Sequence, residues 1–350
     1  MNSAIIYPFP KICQFNKIFM VLLISIIFII TPSSAKLDFI VKGVDYSPHM
    51  PGENCSEFGK ANYTQDFEAM KEANINTIRT YDLVPEEVLE AANKSGIKVI
   101  EGIWITQSGN FSASEFKSAA KQHIAEVINR DKNQSSIIGW CIGNELNIDS
   151  VEAVGKEETE KFLKDLYDYA KALDPNPNHF VTYANWPPLD YLNLSFFDVI
   201  SFNVYTYWPT KVVNMGYRDY LHYLKEKYPN KPILISEFGY STSPNGPGNY
   251  GYGGNSEEEQ ANGIKKIWED IRNANLIGGL VFEWNDEWWK NDCFGNDKYT
   301  HDQNDPEEWF GIIAVEGNDL NNYTLRNKKV YYTIQEMFSW QNSTPKTSMN

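Results

Sequence analysis

Eight short apolar runs, most of them separated by amphipathic stretches, constrain this sequence more than any other feature. They cover residues 39–46, 75–81, 98–105, 137–145, 179–184, 199–205, 233–239 and 278–286. Each is of strand length and apolar through its middle, the pattern of a strand covered on both faces. Helical periodicity between them predicts helices near residues 66–73, 85–95, 112–130, 156–173, 218–228 and 256–274, and a last helix over 329–340. Residues 188–194, after the fifth run, have room for little more than a turn of helix. Strands alternating with helices pair in parallel, and eight of them within 350 residues predict a single (β/α)8 barrel. The alternative, an open doubly wound sheet, would carry a glycine-rich phosphate turn after its first strand. Here the first strand ends Gly43-Val44-Asp45-Tyr46-Ser47-Pro48.

In a closed parallel barrel the active site lies at the C-terminal ends of the strands. Those ends read Asp45-Tyr46, Arg79-Thr80-Tyr81, Trp104, Asn144-Glu145, Asn203-Val204-Tyr205, Glu237 and Glu283-Trp284, polar and aromatic where the strand middles are apolar. Aromatic residues make up 14% of the chain, with 10 Trp and 21 Tyr, enough to stack on sugar rings as well as to pack a core. Glu145 and Glu237 stand out because each closes an apolar run, where a carboxylate is unfavourable without partners or a task. Two carboxyls on one barrel rim suit glycosidic bond cleavage, which needs a proton donor and an ionised partner. Arg79 and Tyr205 are expected near Glu237 and would keep it charged. Glu145 is then the acid/base and Glu237 the nucleophile. A structural ion pair is the alternative reading of either glutamate and of Arg79, and rim packing that of Tyr205 and Trp284.

Asn144-Glu145 after the fourth strand and Ser236-Glu237-Phe238-Gly239 at the seventh resemble glycoside hydrolase clan A. Arg79, Tyr205 and Trp284 extend the resemblance strand by strand. Within the clan, Val41-Lys42-Gly43-Val44 and Glu237-Phe238-Gly239 are similar to the family 2 catalytic barrel and the family 72 β-1,3-glucanosyltransferases. The chain lacks the flanking β-sandwiches of the former, and the many cysteines and lipid-anchor tail of the latter. The resemblance implies a retaining double displacement with carboxyls about 5–5.5 Å apart. It also implies that Asn144 holds a sugar 2-hydroxyl and that Trp284 floors the subsite beside the scissile bond. Trp104 completes the expected substrate-binding set of Arg79, Asn144, Tyr205 and Trp284. The expected substrate is a β-glucan-type poly- or oligosaccharide, hydrolysed or transferred to another sugar. A carbohydrate-binding barrel without catalysis is the non-enzymatic alternative. A lyase or isomerase barrel is disfavoured for want of phosphate-binding turns or metal ligands.

Residues 244–254 follow the strand bearing Glu237, so Tyr250 and Tyr252 are placed to overhang the cleft, or to sit in a surface loop. Trp288 and Trp289, after the eighth strand, suggest a sugar subsite or a plug for the barrel end. The five histidines form no ligand cluster, so neither a metal nor a cofactor is expected. Cys141 shares strand parity with Glu145 and is expected inside the barrel. Cys55 follows the first strand and Cys293 the eighth, neighbours in a closed barrel, so a Cys55–Cys293 disulfide is expected.

A net charge of −15 disfavours nucleic acid and anionic membranes as partners. Lys11 and Lys17, then an apolar stretch over residues 18–30 and small Ser33 and Ala35, predict a signal peptide over residues 1–35 before a catalytic domain at 36–350. The expected product is secreted or at the cell wall. The alternative is a membrane anchor formed by the uncleaved segment. Eight Asn-X-Ser/Thr sites, at Asn54, Asn62, Asn93, Asn110, Asn133, Asn193, Asn322 and Asn342, suit a secreted glycoprotein.

Overall fold

The computed structural model describes residues 39–290, 299–317, 320 and 322–339. The eight predicted strands all form. They are β1 (Val41–Asp45), β2 (Thr77–Arg79), β3 (Lys98–Ile103), β4 (Ile137–Asn144), β5 (Phe180–Asn185), β6 (Ile200–Asn203), β7 (Ile233–Phe238) and β8 (Gly278–Val281), hydrogen-bonded in that order into a closed barrel. All neighbouring pairs are parallel, and β1 pairs with β8 to close the ring. This is a single (β/α)8 barrel.

Two apolar layers hold it. Inside the ring, Val41, Ile100, Cys141, Phe180, Ala184, Val199, Leu234 and Leu280 fill the barrel axis. Cys141 is buried there as a free thiol. Outside the ring, strands pack on helices through a much larger cluster that includes Phe67, Leu89, Ile124, Phe162, Leu221, Ile264 and Ile334. The helices are α1 (Tyr63–Glu72), α2 (Glu86–Ser95), α3 (Ser114–Asp131), α4 (Ile148–Val154), α5 (Lys156–Leu173), α6 (Thr210–Met215), α7 (Tyr217–Lys227), α8 (Glu257–Asn273) and α9 (Lys329–Ser339). Ser256 starts α8 with a capping box. Its hydroxyl accepts from the Glu259 amide while the Glu259 carboxylate accepts from the Ser256 amide. After β5 the chain makes only the 3-10 turn Pro187–Leu189, as its short length required.

Among the described residues, two short helices and a hairpin were not predicted. The short helices α4 and α6 sit in the loops after β4 and β6, on the rim that carries the glutamates. The third is an antiparallel hairpin, β9 (Ile313–Gly317) with β10 (Tyr323–Asn327), after the barrel closes. Lys328, at its end, is buried and pairs with Asp286 at 2.7 Å, tying the hairpin to the loop after β8.

Register decides which side chains meet at the rim. β1 aligns Asp45 with Arg79 on β2, and β6 aligns Asn203 with Glu237 on β7. β4 ends in a left-handed turn, with Gly143 at φ 86° and Glu145 at φ 43°. A non-glycine residue in that region is uncommon and is held there by its surroundings, here by the Glu145 amide donating to the Ala184 carbonyl at 2.9 Å.

Candidate active site

The C-terminal rim surrounds a cavity of about 620 Å³ lined by Glu145, Trp186, Tyr205, Tyr207, Trp208, Glu237, Pro247, Gly251, Tyr252, Phe282 and Glu307. Both glutamates therefore face one space, between aromatic walls.

Glu237 is held by three donors. Its Oε1 accepts from Arg79 at 2.8 Å and from the Tyr81 hydroxyl at 2.9 Å, and its Oε2 accepts from the Tyr205 hydroxyl at 2.9 Å. The guanidinium is itself buried, and both of its terminal nitrogens are engaged. It donates to Asp45 at 3.3 Å and to the Asn144 side-chain oxygen at 2.7 Å, and it stacks over the Tyr81 ring. An oriented cation and two phenols fix this carboxylate's position. Burial pushes the Asp45 carboxyl well above its usual range, against the pull of Arg79.

Glu145 has different company. Its Oε1 accepts one hydrogen bond, from Asn203 Nδ2 at 2.9 Å. The same NH2 group donates to Asn144 at 3.0 Å, and Asn203 Oδ1 accepts from Ser236 at 2.7 Å, so the bridging amide has a fixed orientation. Burial, and then the charge of Glu237, raise the Glu145 carboxyl to about 8. A carboxyl that keeps its proton to that pH can protonate a leaving oxygen near neutrality. Glu145 carries its proton below pH about 8, so kcat/KM should fall as pH rises through that value. In Glu145→Gln that alkaline limb should disappear, and turnover of substrates with poor leaving groups should drop by roughly 10²- to 10⁴-fold. A pH–rate profile of both proteins checks this, and an unchanged limb in the variant would remove Glu145 from the acid role.

Arg79, Asn144, Glu145, Tyr205 and Glu237 thus form one connected network. Two other expected contacts stand elsewhere. Trp284 is buried in the core, where the Asp66 carboxylate on α1 accepts its indole N–H, and Phe282 lines the cavity where the Trp284 floor was expected. Trp104 is exposed just past β3 and is not among the lining residues. Trp288 is buried against His301, Trp289 meets His49 edge-on, and neither is among the lining residues of this cavity. Of the two loop tyrosines, Tyr252 lines the cavity, while Tyr250 packs edge-on against Tyr240. Cys55 is disulfide-bonded, and its expected partner Cys293 lies outside the described residues.

Tyr81, Asn203, Trp186, Trp208 and Glu307 were absent from the expected set. Tyr81 and Asn203 sit at predicted strand ends, so strand position pointed to them. The Trp186–Trp208 pair, 5.0 Å apart, is assembled from two loops and had no local signal. Glu307 lies in a 3-10 turn, Pro306–Trp309, beyond the barrel. Behind the cavity Lys290 pairs with Glu283 at 3.2 Å and Glu287 at 2.7 Å, all three largely withdrawn from water.

Residues 43–311 match the sequence profile of the BtgE/BtgC glycoside hydrolase domain. Among curated relatives, a β-glucuronidase of Streptococcus agalactiae is 30% identical over 204 residues, covering 51% of this chain and 33% of that protein. A β-glucuronidase of Sus scrofa is 29% identical over 194 residues, 51% of this chain and 27% of that protein. The chain therefore spans a third or less of the length of these two relatives. Among solved structures, Faecalibacterium prausnitzii β-glucuronidase is similar with a TM-score of 0.67 at 20% identity, over 86% of this chain and 49% of that one. A family 2 β-galacturonidase of Eisenbergiella tayi gives 0.66 at 22% identity, over 86% and 51%. At such identities the likeness to the solved structures is one of fold.

Proposed function

This chain belongs to the BtgE/BtgC glycoside hydrolase family, and on that footing we propose that it is a secreted, retaining β-glycosidase acting on a neutral β-glucan. One observation carries the reading: two glutamates share a cavity in opposite electrostatic settings, Glu237 among three donors and Glu145 with its proton affinity raised. In the first step Glu237 attacks the anomeric carbon and forms an ester, while the bond to the leaving oxygen breaks and that oxygen takes the Glu145 proton. In the second step Glu145 removes a proton from water, and the resulting hydroxide displaces Glu237 from the same carbon with a second inversion. On this reading Asn144, oriented by Arg79 and Asn203, bonds the sugar 2-hydroxyl. When an acceptor sugar replaces water the same intermediate gives transglycosylation. The Trp186–Trp208 pair supports an acceptor site, because the Trp186 indole donates to the Leu146 carbonyl, next to the acid/base.

The disulfide at Cys55 supports an oxidising compartment, in keeping with secretion. Among the described residues no helix is long and apolar enough to cross a membrane. The complete donor set around Glu237 favours catalysis over a carbohydrate-binding role.

A second reading rests on the β-glucuronidase relatives, which match about half of this chain. A substrate panel separates the two. On β-1,3-, β-1,4- and β-1,6-glucans and an aryl β-glucuronide, turnover is expected on at least one neutral glucan. Cleavage of the glucuronide alone would overturn the neutral-glucan reading. Products longer than a laminari-oligosaccharide substrate indicate transfer, and shorter ones alone indicate hydrolysis.

A further inference from the structure

Among the described lining residues, Glu307 is the carboxylate that the double displacement leaves without a task. It is half-buried in the turn after β8, and its Oε1 accepts from the Tyr252 hydroxyl at 2.6 Å. That bond joins the loop after β7 to the segment after β8 across the mouth. The loop is fixed in turn by Asn255, whose amide donates to the carbonyls of Ser241 and Gly251.

The charge of the cavity wall is one-sided. Among its described lining residues are three carboxyls, of Glu145, Glu237 and Glu307, and no Lys, Arg or His. Among the described residues, the cations behind the wall are held by other carboxylates. Arg79 is shared by Glu237, Asp45 and Asn144, and Lys290 is held by Glu283 and Glu287 against the rings of Phe282 and Trp289. Burial raises the Glu307 carboxyl above its usual range, against the Tyr252 hydrogen bond and the charge of Lys290. A carboxylate accepts hydrogen bonds and cannot donate them, so Glu307 matches a ligand rich in hydroxyl donors. It opposes a ligand that brings a carboxylate of its own, most strongly where little water screens the pair.

We infer that Glu307 is a specificity-determining residue of this site: braced by Tyr252, it accepts from hydroxyls of a neutral sugar and excludes a uronic acid. The inference rests on the reading of this cavity as a glycosidase active site.

The test compares kcat/KM on an aryl β-glucoside and the matched aryl β-glucuronide, and, independently of turnover, the binding of isofagomine and its C6-carboxylate by calorimetry. Wild-type protein should prefer the neutral member of each pair by at least about 30-fold, given a like charge in a poorly screened site. Glu307→Gln keeps the shape and removes the charge, and should narrow that preference by at least about 10-fold, weakening the neutral ligand and improving the charged one. Tyr252→Phe keeps the charge but removes the brace, and should narrow the preference by less than Glu307→Gln does. Glu307→Ser serves if the Gln variant does not fold. Equal wild-type affinity for the neutral and charged members, or a ratio unchanged in a folded Glu307 variant, would overturn the inference. Failure of the parent reading looks different: Glu145→Gln and Glu237→Gln would then leave turnover intact.

Discussion

Glu237→Gln should lower kcat on the preferred β-glycoside by at least about 10³-fold, a loss of roughly 4 kcal/mol of transition-state stabilisation. The substitution preserves volume. Its amide oxygen can still accept from Arg79 and Tyr81, and its NH2 can donate to Tyr205, whose hydroxyl oxygen can accept. The surrounding network therefore survives, and what is lost is a carboxylate able to attack the anomeric carbon. KM should change much less than kcat, because the aromatic walls are untouched. Circular dichroism and thermal melting should match the wild type within a few degrees, which separates lost chemistry from lost structure. Near-normal turnover in a folded Glu237→Gln would place the nucleophile elsewhere.

Arg79→Met should have the largest effect on the fold. Arg79 is 1% exposed, Asp45 is 0% exposed and Glu237 is 5% exposed, so the guanidinium is the cation that compensates two buried carboxylates. Removing it strands them, and breaking such a pair typically destabilises by about 3–5 kcal/mol. Urea unfolding should show this loss at neutral pH. Burial already raises the Asp45 carboxyl, and without Arg79 it would rise further. A group whose folded pKa is raised takes up its proton more readily folded than unfolded, so its contribution favours the fold at low pH and is lost as pH rises. The penalty in Arg79→Met should therefore shrink as pH falls toward the carboxylate range. A penalty below about 1 kcal/mol at neutral pH would mean that water reaches and relieves these charges.

How much of this could be read from the sequence depended on how local each signal was. The barrel was legible because parallel strands buried on both faces leave continuous apolar runs, and all eight did. Arg79, Asn144, Glu145, Tyr205 and Glu237 were legible because each sits at or just past a strand end, where the fold itself places chemistry. The same rule overreached at Trp284. That position ends a predicted strand, but its side chain turns to Asp66 on α1, and no local pattern reports that choice. Glu307 and the Trp186–Trp208 pair lay beyond reach for a related reason. Each is brought to the cavity by a loop after a strand, and loop paths are set by tertiary contacts such as Tyr252 to Glu307. The β9–β10 hairpin went unseen because its second strand is largely exposed and carries no apolar run.

In the proposed mechanism Glu237 becomes covalently bound to the sugar. A 2-deoxy-2-fluoro-β-glucosyl donor with a good leaving group forms such an ester and hydrolyses it slowly, because the fluorine disfavours the oxocarbenium-like transition state of both steps. Incubation with this donor, proteolysis and tandem mass spectrometry should find one sugar per protein, on the peptide containing Ser236-Glu237-Phe238 and attached at Glu237. A label on Glu145 or Glu307, or turnover of the normal substrate that gives product of inverted anomeric configuration, would rule out Glu237 as the nucleophile.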